Sequence, residues 1–141
     1  MCKDLVIALI FSIAIENGLP PYFVKAIAYE ESRFNPNAVS APNRNGSRDW
    51  GVMQINDRHH NIENWNCAET NIRQGVEHLV WIVSLPQVTT YWKAAGIYNA
   101  GLEGFFANQN GPPQSSLRYA DRVIAKWLEY EPRAHVTTIK K

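Results

Sequence analysis

The hydrophobic pattern is helical along almost the whole chain. Leu5 to Ile15 is apolar at every position except Ser12, and Asn17-Gly18 and Pro20-Pro21 follow it. That run predicts a buried first helix that stops at the Asn-Gly pair. It is shorter than the roughly 20 residues a membrane span requires. It has neither the basic segment before it nor the small-x-small site after it that mark a signal peptide. Pro21 can open a second helix, with Phe23, Ala26 and Ile27 on one face. Asn35-Pro36-Asn37 cannot continue it, so it should end near Glu31-Ser32.

Residues 35–48 read as a polar loop around Pro42, Asn43, Asn45 and Gly46. The short apolar stretch from Trp50 to Asn56 fits a strand or a buried turn. Ile72, Val76, Leu79, Val80 and Val83 recur at helical spacing, which predicts a helix over 70–84 ended by Pro86. Tyr91 to Ala100 gives another short helix, closed by Gly101. The Gly-, Asn- and Pro-rich segment 101–115 reads as a long loop. Leu117, Ala120, Ile124, Trp127 and Leu128 mark a last amphipathic helix, stopped by Pro132. With no repeat and no linker, the expected organisation is a single mostly α domain over 1–131 and a loose polar tail over 132–141.

Composition adds limits. Hydrophobic residues make up 45% of the 141 positions, enough for one real core. Most of the five Trp, six Tyr and five Phe are expected to pack there, with some rings left over for a binding groove. A formal net charge of +1, without any basic stripe, gives no case for nucleic acid. The two cysteines, Cys2 and Cys67, are far from a C-x-x-C pair, which excludes the common zinc and redox motifs. Their even number leaves open either one disulfide, implying an oxidising compartment, or two free thiols. His59, His60, His78 and His135 form no metal-ligand spacing, so neither metal nor cofactor is expected.

The residue with chemical interest is Glu31. It stands where a helix gives way to Ser32-Arg33-Phe34-Asn35-Pro36. Glu30 and Glu31 point about 100° apart on the helix. With Ala26 and Ile27 facing the core, one of the two can be half-buried while the other stays wet. A carboxyl in an apolar pocket has its pKa raised and can serve as a general acid near neutral pH.

Four blocks then occur in order: Glu31-Ser32-Arg33-Phe34-Asn35-Pro36, Gly51-Val52-Met53-Gln54-Ile55-Asn56, Ile97-Tyr98-Asn99-Ala100-Gly101, and Tyr119. Together they resemble the catalytic domain of lytic transglycosylases, lysozyme-like enzymes that cut peptidoglycan, over about residues 5–128. The positions of Cys2 and Cys67 are similar to those of the paired cysteines in small members attached to secretion and conjugation machines. Extra residues between Cys67 and Asn71-Ile72 depart from that pattern. Phage-borne members are also similar.

The resemblance implies a mainly α, lysozyme-like fold with a small or absent β element. It implies Glu31 as catalytic acid/base, with Ser40 and Gln54 lining the sugar subsites. Tyr98 would lie near Glu31, Asn99 would hold its own segment, and Tyr119 would contact Glu31 from the last helix. The bland readings are core tyrosines for Tyr98 and Tyr119, a helix C-cap for Asn99-Ala100-Gly101, and a local cap for Ser32.

Asp49-Trp50-Gly51-Val52-Met53-Gln54-Ile55-Asn56 also resembles a stretch of animal-type lysozymes in which the aspartate is the second catalytic carboxylate. A retaining hydrolase holds that group roughly 5 Å from the acid. The plain alternative for Asp49 is a loop residue in a local turn. The leading expectation is therefore a monomeric peptidoglycan transglycosylase of the periplasm or cell envelope, without stable membrane insertion. A hydrolase using Glu31 and Asp49 is the first rival, and a non-catalytic glycan-binding assembly module the second.

Overall fold

The computed structural model describes residues 1–107 and 109–141. In chain order the elements are α1 (Lys3–Glu16), α2 (Pro21–Ser32), β1 (Asp49–Trp50), β2 (Ile55–Asn56), α3 (Ala68–Ser84), α4 (Tyr91–Ala100), α5 (Leu102–Phe106) and α6 (Gln114–Tyr130). The protein is mainly helical, and among the described residues the one sheet is a short antiparallel hairpin pairing Asp49 with Asn56 and Trp50 with Ile55. Contacts gather into two compact units, Met1–Glu77 and His78–Lys141.

In the first unit α1 and α2 form a helical hairpin. Val6, Ile10, Ile13 and Ala14 of α1 and Phe23, Val24, Ala26, Ile27 and Ala28 of α2 are buried. The Phe11 and Tyr22 rings meet edge to face with centroids 5.0 Å apart. The first helix, expected to be buried, is so along one stripe only. Leu5 and Ile15 are exposed, because a helix against one neighbouring layer can bury only one stripe.

The stretch 50–56 resolves into both alternatives at once: a tight turn, Gly51–Gln54, between two short strands. Gly51 has φ +81, and a Cβ there would collide with the Asn71 side chain and the Trp65 carbonyl. Only glycine meets both demands.

In the second unit the buried face of α3 continues through Leu79 and Ile82, while Val80 and Val83 flank it. The buried face of α6 is Ser116, Tyr119, Ala120, Val123 and Trp127, which leaves Leu128 outside. Tyr91 of α4 meets Trp127 of α6 edge to face at 5.1 Å.

Two expectations for this unit need correction. The loop predicted over 101–115 contains α5, because Phe105 buries its ring where Gly96 has no side chain. The tail is not loose either. The Ile139 amide donates to the Thr89 carbonyl at 2.9 Å and the Tyr91 amide to the Thr137 carbonyl at 3.1 Å. Backbone pairing of this kind leaves no trace in a hydrophobic pattern.

Candidate active site

The first unit carries Glu31, Ser40, Asp49 and Gln54, together with both cysteines; the second carries Tyr98, Asn99 and Tyr119. Glu31 lies on the last turn of α2 and is half-buried. Glu30 is half-buried as well, so the expected split into one covered and one wet carboxylate does not occur.

Two residues after Glu31 the chain is strained. Arg33 and Phe34 both adopt left-handed backbone, with φ of 52° and 67°. Such residues cost of order 1 kcal/mol or more each and persist only where their surroundings over-determine them. Here Phe34 is buried, with its ring 6.0 Å from that of Tyr29. The Lys3 ammonium lies 5.7 Å from the Phe34 centroid, and the Arg33 guanidinium 5.4 Å from that of Tyr29. Ser32 completes the clamp. Its hydroxyl donates to the Val52 carbonyl at 2.7 Å and accepts from the Asn35 amide at 3.2 Å. Ser32 is thus more than a local cap, since it ties the end of α2 to the Gly51–Gln54 turn.

That turn is held from beneath by Asn71, which is completely buried. The Asn71 side chain donates to the Trp50 carbonyl at 2.8 Å and accepts from the Met53 amide at 2.7 Å. In the sequence Asn71 falls within the helix that the apolar spacing predicts over 70–84. Its signal was a polar residue at helical spacing from Gly75, on the side of α3 that otherwise buries apolar groups.

Gln54 has φ 53°. Its amide nitrogen donates to the carbonyls of Gly51 at 3.0 Å and Ala38 at 3.2 Å. Both N–H groups are thereby engaged, which leaves Oε1 as the acceptor Gln54 can offer a sugar.

Ser40 and Asp49 come together. The Asp49 amide donates to the Ser40 hydroxyl at 2.9 Å, and that hydroxyl donates to the Ala41 carbonyl at 2.8 Å. In this geometry the Ser40 hydroxyl fastens the loop, and its proton does not face a ligand. Asp49 is gripped at both oxygens, by the Asn56 amide at 2.9 Å and the Asn43 amide at 3.3 Å.

In the second unit Tyr98 is half-buried on α4, and Asn99 accepts from the buried Ser116 hydroxyl at 2.8 Å. That bond joins the end of α4 to the start of α6. Tyr119 is buried on α6. His78, which the sequence left without a role, has its ring 5.6 Å from that of Tyr98.

With this geometry in hand, comparison with known proteins decides the family. The profile of the transglycosylase SLT domain matches residues 8–116. The chain belongs to that family.

Protein IpgF of Shigella flexneri is 29% identical over 127 residues, an overlap of 79% of this chain and 73% of that protein. Membrane-bound lytic murein transglycosylase F of Haemophilus influenzae (strain 86-028NP) is 35% identical over 111 residues, 63% of this chain and 22% of that protein. The X-ray structure of an inactive mutant of lytic transglycosylase Slt from Pseudomonas aeruginosa superposes with a TM-score of 0.69 at 18% identity. It covers 95% of this chain and 26% of that one, so the SLT domain corresponds to one part of the two larger proteins. The likeness establishes the lysozyme-like fold. Tyr119 lies just beyond the matched residues.

The two thiols of this SLT domain are free and exposed, so the structure holds no bond between Cys2 and Cys67. Cys67 stands immediately before α3. Hydrogen bonds from the Thr70 hydroxyl and then the Thr70 amide lower its pKa below the ordinary thiol value. Replacing Thr70 with Val should therefore raise the pH at which Cys67 is alkylated, read by iodoacetamide labelling and peptide mass. An unchanged labelling profile would refute that assignment. Asn71→Ala leaves the Trp50 carbonyl and Met53 amide without their partner. We expect it to destabilise the fold by roughly 2–4 kcal/mol, measured by urea unfolding.

Proposed function

We propose that this SLT domain cleaves the β-1,4 bond between N-acetylmuramic acid and N-acetylglucosamine in peptidoglycan. In this reading it releases 1,6-anhydro-muramic ends, with Glu31 as the single acid and base. The observation that carries the reading is the strained, clamped end of α2. Glu31 precedes two left-handed residues that Phe34 burial and the Ser32–Val52 hydrogen bond hold in place. A general acid works only when it is presented at fixed geometry, and this junction restricts the backbone beside it.

The Glu31 carboxyl gives its proton to the glycosidic oxygen, and the bond from that oxygen to C1 breaks. The departing N-acetylglucosamine keeps the proton on its 4-hydroxyl. The N-acetyl carbonyl of the muramic residue stabilises the cationic C1. The Glu31 carboxylate then takes the proton of the C6 hydroxyl as that oxygen bonds to C1. No water is consumed, and Glu31 ends protonated as it began.

Gln54 Oε1 would accept from an amide or hydroxyl of the glycan, and Tyr98 and Tyr119 would also take part in binding it. Asn99 would hold the Tyr98 segment through Ser116. Ser40 would reach substrate only by releasing Ala41, and acts first through the loop it fastens. Residues 1–131 would form the catalytic domain. The relative named for murein supports the polymer, and the setting that goes with this reading is a secretion, conjugation or phage assembly. The periplasm or cell envelope is the corresponding location, and a monomer without cofactor suffices.

A hydrolase is the second reading, and the observation that favours it is Asp49. Its carboxylate is half-buried and fixed by two asparagine amides, as a second catalytic carboxylate has to be.

Digestion of purified peptidoglycan followed by muropeptide mass analysis separates the two readings. Transglycosylation predicts anhydro ends lighter by one water than the reducing ends left by hydrolysis. Glu31→Gln should remove activity, by about 10²-fold or more, while circular dichroism and melting stay as in the parent. Near-parental cleavage by that variant would dismiss Glu31. Asp49→Asn should match that loss only if the hydrolase reading holds. A parent protein that clears no cell-wall suspension would point to a glycan-binding assembly module instead.

A further inference from the structure

Trp81 is 46% exposed on α3, on the side of the helix away from Leu79 and Ile82. A single exposed ring needs no explanation by itself, but this one does not stand alone. Its indole is nearly parallel to the His78 imidazole, with an interplanar angle of 15° and centroids 5.8 Å apart. His78 in turn lies 5.6 Å from the Tyr98 ring. The three form a continuous row, half-buried at Tyr98 and His78 and open at Trp81. The Ser84 hydroxyl donates to the Trp81 carbonyl at 2.6 Å, which tightens the helix end from which the indole projects.

We infer that the Trp81 indole, backed by His78, is a stacking platform for an N-acetylhexosamine of the glycan strand, one that extends the Tyr98 subsite along α3. The inference rests on the muramidase reading for Tyr98 and adds to it a residue outside the four blocks. The chemistry fits a sugar. Its axial C–H face is apolar and its rim is polar, and an indole offers the matching flat apolar face at little conformational cost. His78 restricts the rotation of Trp81, so little freedom is left to lose on binding. Continuity with Tyr98 argues for the glycan over a second copy of the chain.

Calorimetry with two probes, the hexamer and the dimer of β-1,4-N-acetylglucosamine, tests this on the full chain. Trp81→Ala should weaken hexamer binding about tenfold, as expected for loss of one well-packed aromatic contact. Trp81→Phe should restore most of that affinity. The dimer, which covers fewer sugar positions, should weaken less than the hexamer. Equal hexamer affinity in the parent and Trp81→Ala, with the parent still cutting peptidoglycan, overturns the platform and leaves the muramidase reading standing. A parent that neither cuts peptidoglycan nor binds the hexamer overturns both. A parent that sediments as a dimer, with Trp81→Ala monomeric and unaltered in hexamer binding, assigns the ring to self-association and overturns the platform.

Discussion

The Asn71 side chain is the interaction on which the first unit's site depends. It is buried, and each end of its amide bonds a main-chain group of the turn between β1 and β2. The turn bonds only part of its own backbone, the Gln54 amide reaching the Gly51 carbonyl, and burying the rest unpaired costs about 1–3 kcal/mol apiece. Asn71 supplies what the turn lacks, and the space it occupies is why position 51 must be glycine. From that anchored turn the Val52 carbonyl reaches Ser32, and the Gly51 carbonyl receives the Gln54 amide. The end of the glutamate-bearing helix and the glutamine turn therefore share one support.

Strain gathers around that support. Arg33, Phe34 and Gln54 are non-glycine residues in left-handed backbone, and all three lie within the two blocks that carry the family likeness. Unsupported, such conformations would relax toward ordinary helix or extended chain. They hold because aromatic burial at Phe34 and paired carbonyl acceptors at Gln54 offset the cost. Backbone strain beside a half-buried carboxyl fits a group whose position matters more than the stability of its loop.

The polar loop that precedes the turn works differently. Ser40, Asn43, Ser47, Asp49 and Asn56 bond one another, so much of its polar chemistry is internal. This network explains how a long loop poor in apolar residues keeps one shape. It also gives Asp49 a structural duty whatever its part in catalysis.

The sequence by itself determined the helices other than α5, the break after Glu31, the closure of α4 at Gly101 and the order of the four blocks. Those features are local: periodicity of 3.6, proline and glycine punctuation, and motif spacing are written within a few neighbours. Only the tertiary structure decided the rest. It buried Asn71 under the turn, directed the Ser40 hydroxyl to Ala41, half-buried both Glu30 and Glu31, and paired the tail with Thr89 and Tyr91. It also lined up His78 and Trp81 with Tyr98. Each of these joins groups from different elements or aims a polar hydrogen, and neither a chain contact across the fold nor the direction of a hydroxyl has a period to be read along the sequence.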